Sequence, residues 1–177
     1  MDLENVERYL DSFGKYVVKQ ARTNLTKGKK NVNKALYNSI KFEVIADANE
    51  FTIKFSMLDY GAFVDKGVSG NQKRQNYKDY KGKTEQSPFS FRSKQPPSGI
   101  IEKWIKARGI KARDEKGRFA SVTRKSLAFL IARSIKMKGI KSTSFFQRPL
   151  ELGMKNFSEN YAEALKEDIL KALTETK

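Results

Sequence analysis

Residues 40–57 read Ile-Lys-Phe-Glu-Val-Ile-Ala-Asp-Ala-Asn-Glu-Phe-Thr-Ile-Lys-Phe-Ser-Met (IKFEVIADANEFTIKFSM). Ile40, Phe42, Val44 and Ala46 alternate with Lys41 and Glu43, and only Ile45 departs from the alternation. Phe51, Ile53, Phe55 and Met57 alternate with Thr52, Lys54 and Ser56. A period of two places one set of side chains on one face of a strand. The polar stretch Asp47-Ala-Asn-Glu50 joins the two runs and predicts a β-hairpin with one apolar face. Such a face needs a cover.

The nearest cover lies upstream. Leu3, Val6, Leu10, Phe13, Val17, Ala21 and Leu25 recur at spacings of three and four, which predicts a helix over residues 3–25. Gly14 weakens its middle, and Gly28 with Asn31 and Asn33 breaks the pattern. A helical turn is expected over 34–39 and another over 59–66, stopped by Gly67. Residues 68–98 are rich in Lys, Gln, Asn, Ser, Gly and Pro and are read as a long basic loop or arm. Ser98 is placed to cap a helix carrying Ile100, Ile101, Trp104 and Ile105 and closed by Gly109. A helical pattern resumes over 121–138 and ends at Gly139, and residues 140–146 read as extended. A terminal helix over about 150–173 carries Phe157, Tyr161, Leu165, Ile169 and Leu173. The predicted class is therefore α+β: a small antiparallel sheet packed against a long N-terminal helix, with further helices and a C-terminal helix. The 177 residues suit one domain, with no internal repeat and no second hydrophobic core evident.

The chain contains no cysteine and no histidine. Disulfides, thiolate metal sites, zinc-water hydrolysis and a Ser-His-Asp triad are excluded. No cofactor and no metal are expected. No apolar run approaches the roughly 18 residues of a membrane span, and no signal peptide is read at MDLENVERYL, so the protein is expected to be made and used in the cytosol of its producing cell, or assembled there into something larger. The chain carries 36 basic and 20 acidic residues, a net charge of +16. Residues 15–41 hold eight basic residues and no acid, residues 71–118 are net +9, and residues 151–177 are net −2. A field of this sign attracts polyanions and acidic surfaces. The basic middle and the acidic end can also attract each other between copies.

Some segments invite a chemical reading. Asp59 and Asp65 form a carboxylate pair in the stretch DYGAFVD, but a spacing of six does not share a helix face. Asp59 is read as a cap and Asp65 as a surface residue. Gly67-Val-Ser-Gly70 matches a G-x-x-G phosphate clamp, a common pair by chance. The tract KRQNYKDYKGK interleaves Tyr77 and Tyr80 with Lys73, Arg74, Lys78, Lys81 and Lys83, and is read either as a solvated basic loop or as a loop that orders on another protein or on DNA, where aromatics stack on bases and cations hold phosphates. Lys111, Arg113 and Arg118 repeat the basic theme. Tyr60, Phe63, Asp65, Trp104, Phe145, Phe146 and Arg148 are expected at an assembly interface or docked into the core. Phe145 and Phe146 point to opposite faces if their backbone is extended.

The order of these segments resembles the head–tail joining or tail-completion proteins of long-tailed bacteriophages, the neck and minor tail components. Leu36-Tyr-Asn-Ser-Ile40 leads into the hairpin, and Tyr60-Gly-Ala-Phe-Val-Asp-Lys-Gly67 follows it. Pro96-Pro-Ser-Gly-Ile-Ile-Glu-Lys-Trp-Ile-Lys-Ala-Arg-Gly-Ile110 comes next, then Ala132-Arg-Ser-Ile135 with Gly139, then Ser144-Phe-Phe-Gln-Arg-Pro-Leu150. The resemblance covers residues 3–173. It implies a curved antiparallel sheet on a long helix, and a six- or twelve-fold homo-oligomeric ring in the neck or at the head-proximal end of the tail. It implies contact with capsid connector or adaptor proteins and with tail tube or sheath proteins, genomic DNA passing through the lumen, no membrane, and no catalytic residue. Two other readings stay open: a nucleic-acid-binding domain without sequence specificity, and a small carboxylate-metal nuclease drawing on Asp59, Asp65 and Glu102.

Overall fold

A computed structural model describes residues 3–28, 34–47 and 50–175. The chain is α+β: small antiparallel sheets pack against helices, with a long helix at the N-terminal end and another at the C-terminal end. The elements run α1 (Glu4–Lys27), α2 (Ala35–Ser39), β1 (Lys41–Ala46), β2 (Phe51–Ser56), α3 (Tyr60–Lys66), β3 (Val68–Ser69), β4 (Asn76–Lys78), β5 (Thr84–Gln86), α4 (Ser98–Arg108), α5 (Arg124–Lys138), β6 (Gly139–Ile140), α6 (Gln147–Met154) and α7 (Phe157–Glu175). Contacts gather them into two compact units. Unit 1 comprises residues 1–61, 78–83 and 144–177, and unit 2 comprises residues 62–77 and 84–143.

Unit 1 is organised around α1. Val6, Leu10, Phe13, Val17, Ala21 and Leu25 are buried along one face, as the three-four spacing predicts. β1 and β2 pair antiparallel with Phe42 opposite Phe55, Val44 opposite Ile53 and Ala46 opposite Phe51. Their inward residues Val44, Phe51 and Ile53 pack on Val6, Leu10 and Ala164, the last from α7. Gly14 has a packing reason: a methyl group there would overlap the Phe42 ring. Arg22 fixes the run between α2 and β1, donating from Nε to the Tyr37 carbonyl at 3.1 Å and from Nη2 to the Ile40 carbonyl at 2.8 Å. Those carbonyls lie at the C-terminal end of α2, where acceptors lack helical partners.

The N-terminal end of α1 is closed from the far end of the chain. Leu3 offers no capping side chain. Asp168 of α7, 1% exposed, instead accepts from the backbone N–H groups of Asn5 and Val6, each at 3.0 Å, and from Asn5 Nδ2 at 2.8 Å. Burial pushes this carboxyl up, but the hydrogen bonds from Val6 and Asn5, with nearby Lys171, outweigh it and hold the group below the usual aspartate range.

Several expectations need correction. Residues 68–98 are not a tract without elements, because they contain β3, β4 and β5. Asp79 orders the turn of the β4–β5 hairpin, accepting the Lys81 and Lys83 N–H groups at 2.9 and 2.8 Å. Ser98 does not cap α4; it is the first helical residue, and Pro97 precedes it with its fixed φ. α5 starts three residues later than expected because Thr123 caps it, accepting from the Ser126 N–H. The terminal helix is two helices, α6 and α7. Pro149 lies in the first turn of α6, where no N–H is required. Residues 145–146 form a turn and not a strand.

Asp168→Ala is expected to lower the stability of the folded chain by roughly 2–3 kcal/mol, through lost cap bonds and stranded N–H donors. Because the folded carboxyl titrates low, its contribution is present above about pH 4 and disappears as pH falls through the folded value. Urea unfolding of parent and Asp168→Asn between pH 2 and 7 checks this, the variant showing the shallower acid limb. Gly14→Ala gains about 1 kcal/mol of helix propensity but forces Phe42 aside at a cost of about 1–3 kcal/mol. A net lower melting temperature is expected, measured by thermal denaturation.

Candidate interaction surface

Two segments of unit 2 that are distant in sequence, the end of α3 and the run after β6, are hydrogen-bonded together. α3 ends at Gly67, whose φ of +73° suits glycine. The freed carbonyls of α3 are taken by the segment after β6: Thr143 Oγ1 donates to the Val64 carbonyl at 2.7 Å and Ser142 Oγ to the Asp65 carbonyl at 2.7 Å. β3 then pairs antiparallel with β6, Val68 opposite Ile140 and Ser69 opposite Gly139. Gly70 and Gly139 let the backbones meet, since a methyl group on either would strike main-chain atoms of the other segment. The G-x-x-G segment engages protein: the Ser69 N–H donates to the Phe89 carbonyl, the Gly70 N–H to Lys73, and the Asn71 and Gln72 N–H groups to Lys136 and Met137. These donors are therefore not aimed at a phosphate.

Asp65 is 3% exposed, which corrects its reading as a surface residue. It lies one helical turn after the buried Gly61, so this edge of α3 faces inward. Asp59 belongs to unit 1, while Asp65 and Glu102 both belong to unit 2, on α3 and α4. Among the described residues no group of three or more acidic side chains is placed to hold a metal ion.

The aromatic candidates take different positions. Tyr60 and Phe63 are exposed, and Phe63 meets Phe89 edge-on with centroids 4.5 Å apart. Phe145 and Phe146 are buried in unit 1, Phe146 edge-on to Phe55 at 5.3 Å. The Phe145 carbonyl accepts from Asn24 Nδ2 at 3.3 Å. The turn, where Ser144 has φ +45°, lets both rings enter the same core. Arg148 is exposed on α6. Trp104 is 40% exposed on α4, while its neighbour Ile105 is the buried anchor of that helix.

The basic candidates divide between the units: Lys73, Arg74, Lys111, Arg113 and Arg118 lie in unit 2, and Lys78, Lys81 and Lys83 in unit 1. Unit 2 holds 18 of the Lys and Arg residues and five Asp or Glu, a net charge of +13, whereas unit 1 holds 18 basic and 15 acidic, a net of +3. Lys73 and Arg74 line an open groove of about 420 Å³ with Arg92, Gln86 and Phe91, and Arg74 Nη1 donates to Gln86 Oε1 at 3.0 Å. Lys78, Lys81 and Lys83 lie on the β4–β5 hairpin, with Lys81 over the Tyr80 ring at 5.6 Å. Tyr77 carries Lys66 at 5.5 Å from its ring centre.

Lys111, Arg113 and Arg118 belong to a tight turn closed by a bridge between Arg113 and Phe119. Arg118 is tied to Asp114 by a backbone bond at 2.8 Å and by Nε to Oδ2 at 3.1 Å. Gly117 takes φ +78° there. Arg113 and Lys111 stand over the Phe119 ring, 4.5 and 5.2 Å from its centre, yet that ring is 66% exposed. An exposed ring flanked by two cations combines stacking with phosphate attraction. Phe119 is the residue that sequence reasoning missed. Its signal was present as an aromatic directly after a Gly-Arg turn in a basic run.

Among the described residues no helix is long and apolar enough to cross a membrane. Comparison of the chain with family models, with curated proteins and with solved structures finds no match.

Proposed function

We propose that this chain is a structural protein of a long-tailed phage particle. It forms a ring in the neck or at the head-proximal end of the tail, joining the tail to the capsid connector around the DNA channel. The observation that carries this reading is the separation of labour between units. Most of the buried apolar side chains lie in unit 1, nearly balanced in charge, while +13 of the +16 net charge lies in unit 2. Such a module suits binding to anionic surfaces, either passing DNA or acidic connector and tail proteins. The motif order adds support, since the segments that carry the resemblance serve packing: YGAFVDKG and the run before Phe145 form a backbone joint, and the Pro-Pro…Trp segment builds α4 against α5. The work is geometric, by contact and ring closure.

The isolated chain is expected to form closed oligomers with itself or with its connector neighbours, read by native mass spectrometry, and to be present in purified virions. Absence from virions, with a monomer at every concentration, overturns the reading.

One observation favours a second reading, a nucleic-acid-binding domain without sequence specificity: the exposed Phe119 ring between Lys111 and Arg113. DNA binding by the isolated chain is expected to be weak and salt-dependent. The double change Lys111→Ala with Arg113→Ala is expected to reduce the slope of log K against log salt by about 2, one for each lost phosphate contact. Tight binding by a monomer at physiological salt favours the second reading over the first.

A further inference from the structure

Two helices, one in each unit, present outer faces that no part of the described chain covers. α5 carries five basic residues, Arg124, Lys125, Arg133, Lys136 and Lys138, and no acid. Its inner face, with Ala128 and Ala132 buried, packs against α4. Opposite that face Phe129 and Leu130 are 51% and 55% exposed, with Arg133 beside them one turn on.

α7 has the complementary character. Besides the buried Asp168, its exposed residues include Glu159, Glu163 and Glu167 against Lys166 and Lys171. Ala164 and Asp168 are buried on its inner face, where the helix packs on α1. Its outer face exposes Leu170 and Leu173, the latter 65% exposed. Glu163 lies on the same side, two turns before Leu170.

We propose that α7 of one copy docks on α5 of the next, so that the chain assembles head to tail. This rests on the ring reading above and deepens it by naming the contact. The occupant follows from charge and shape together. A helix with five cations and no anion rejects a second α5 and favours a face that carries exposed glutamates, as α7 does. Leu170 and Leu173 then cover Phe129 and Leu130, with Glu163 and Arg133 setting the register. The two faces differ, so the contact is heterologous, and repetition by rotation closes a ring. At 15 and 19 residues the helices are comparable in length, about 22 and 28 Å.

The absence of cysteine makes the test direct. Full-length Leu130→Cys and Leu170→Cys proteins are mixed, oxidised and analysed by peptide mass. A cross-link joining positions 130 and 170 of different copies is expected at least tenfold above the 130–130 and 170–170 products. Glu163→Arg and Arg133→Glu are each expected to weaken assembly at least tenfold, and their combination on one chain to restore it. If closed oligomers form without the 130–170 cross-link, this contact is wrong and the ring reading survives. If the chain stays monomeric and is missing from virions, both fall. If duplex DNA, and not a second copy, shields the thiol of Leu130→Cys from alkylation, α5 is a nucleic-acid face and the proposal is overturned.

Discussion

The contact of Phe42 with the flat patch left by Gly14 sets the geometry of unit 1. A two-stranded sheet is only marginally stable alone. β1 and β2 persist because their inward residues lie against a 24-residue helix. The approach is close enough that α1 gives up a side chain at its middle to admit an aromatic ring. Once the hairpin is seated, the rest of the unit follows. Arg22 locks the chain entering β1, Phe55 meets Phe146 on the far strand, and α7 closes over Val6 and Leu10. Asp168 then joins the last helix to the first turn of α1.

Unit 2 uses a different economy. Its buried apolar residues are few and mostly small: Val68, Ile105, Ala128 and Ala132. Main-chain bonding makes up the difference. The segment from Gly67 to Lys73 lies against the end of α5 through consecutive N–H donors, and Ser87 Oγ ties in the Gly67 carbonyl at 2.7 Å. Close backbone approach demands glycine at 70 and 139, and with little apolar volume to bury the unit tolerates a surface dense in cations.

The sequence revealed those features that depend on local period or on chain stops. The hairpin was legible because one face is half-buried, so polarity alternates along β2 and along β1 up to Val44. Gly67, Gly109 and Gly139 were legible as stops because helices end there with positive φ. β3, β4 and β5 were not, because two or three residues display no period. The capping by Asp168 was hidden for a similar reason: it joins residues 163 positions apart in the chain. The break between α6 and α7 falls at Lys155 and Asn156, just before the apolar ladder, which starts at Phe157 and lies wholly within α7. Among the candidate surface residues, charge runs located the cations, but only the fold showed Lys111 and Arg113 converging on Phe119.

The uneven division of charge has a consequence for how copies meet. Two like-charged faces repel over a Debye length of about 8 Å at physiological ionic strength, before any contact is made. Symmetric encounters through the +13 unit are thus filtered out during diffusion, not after collision. On the proposed head-to-tail reading, what survives is vectorial: an arriving subunit is oriented by the field of the one already in place, before their surfaces touch.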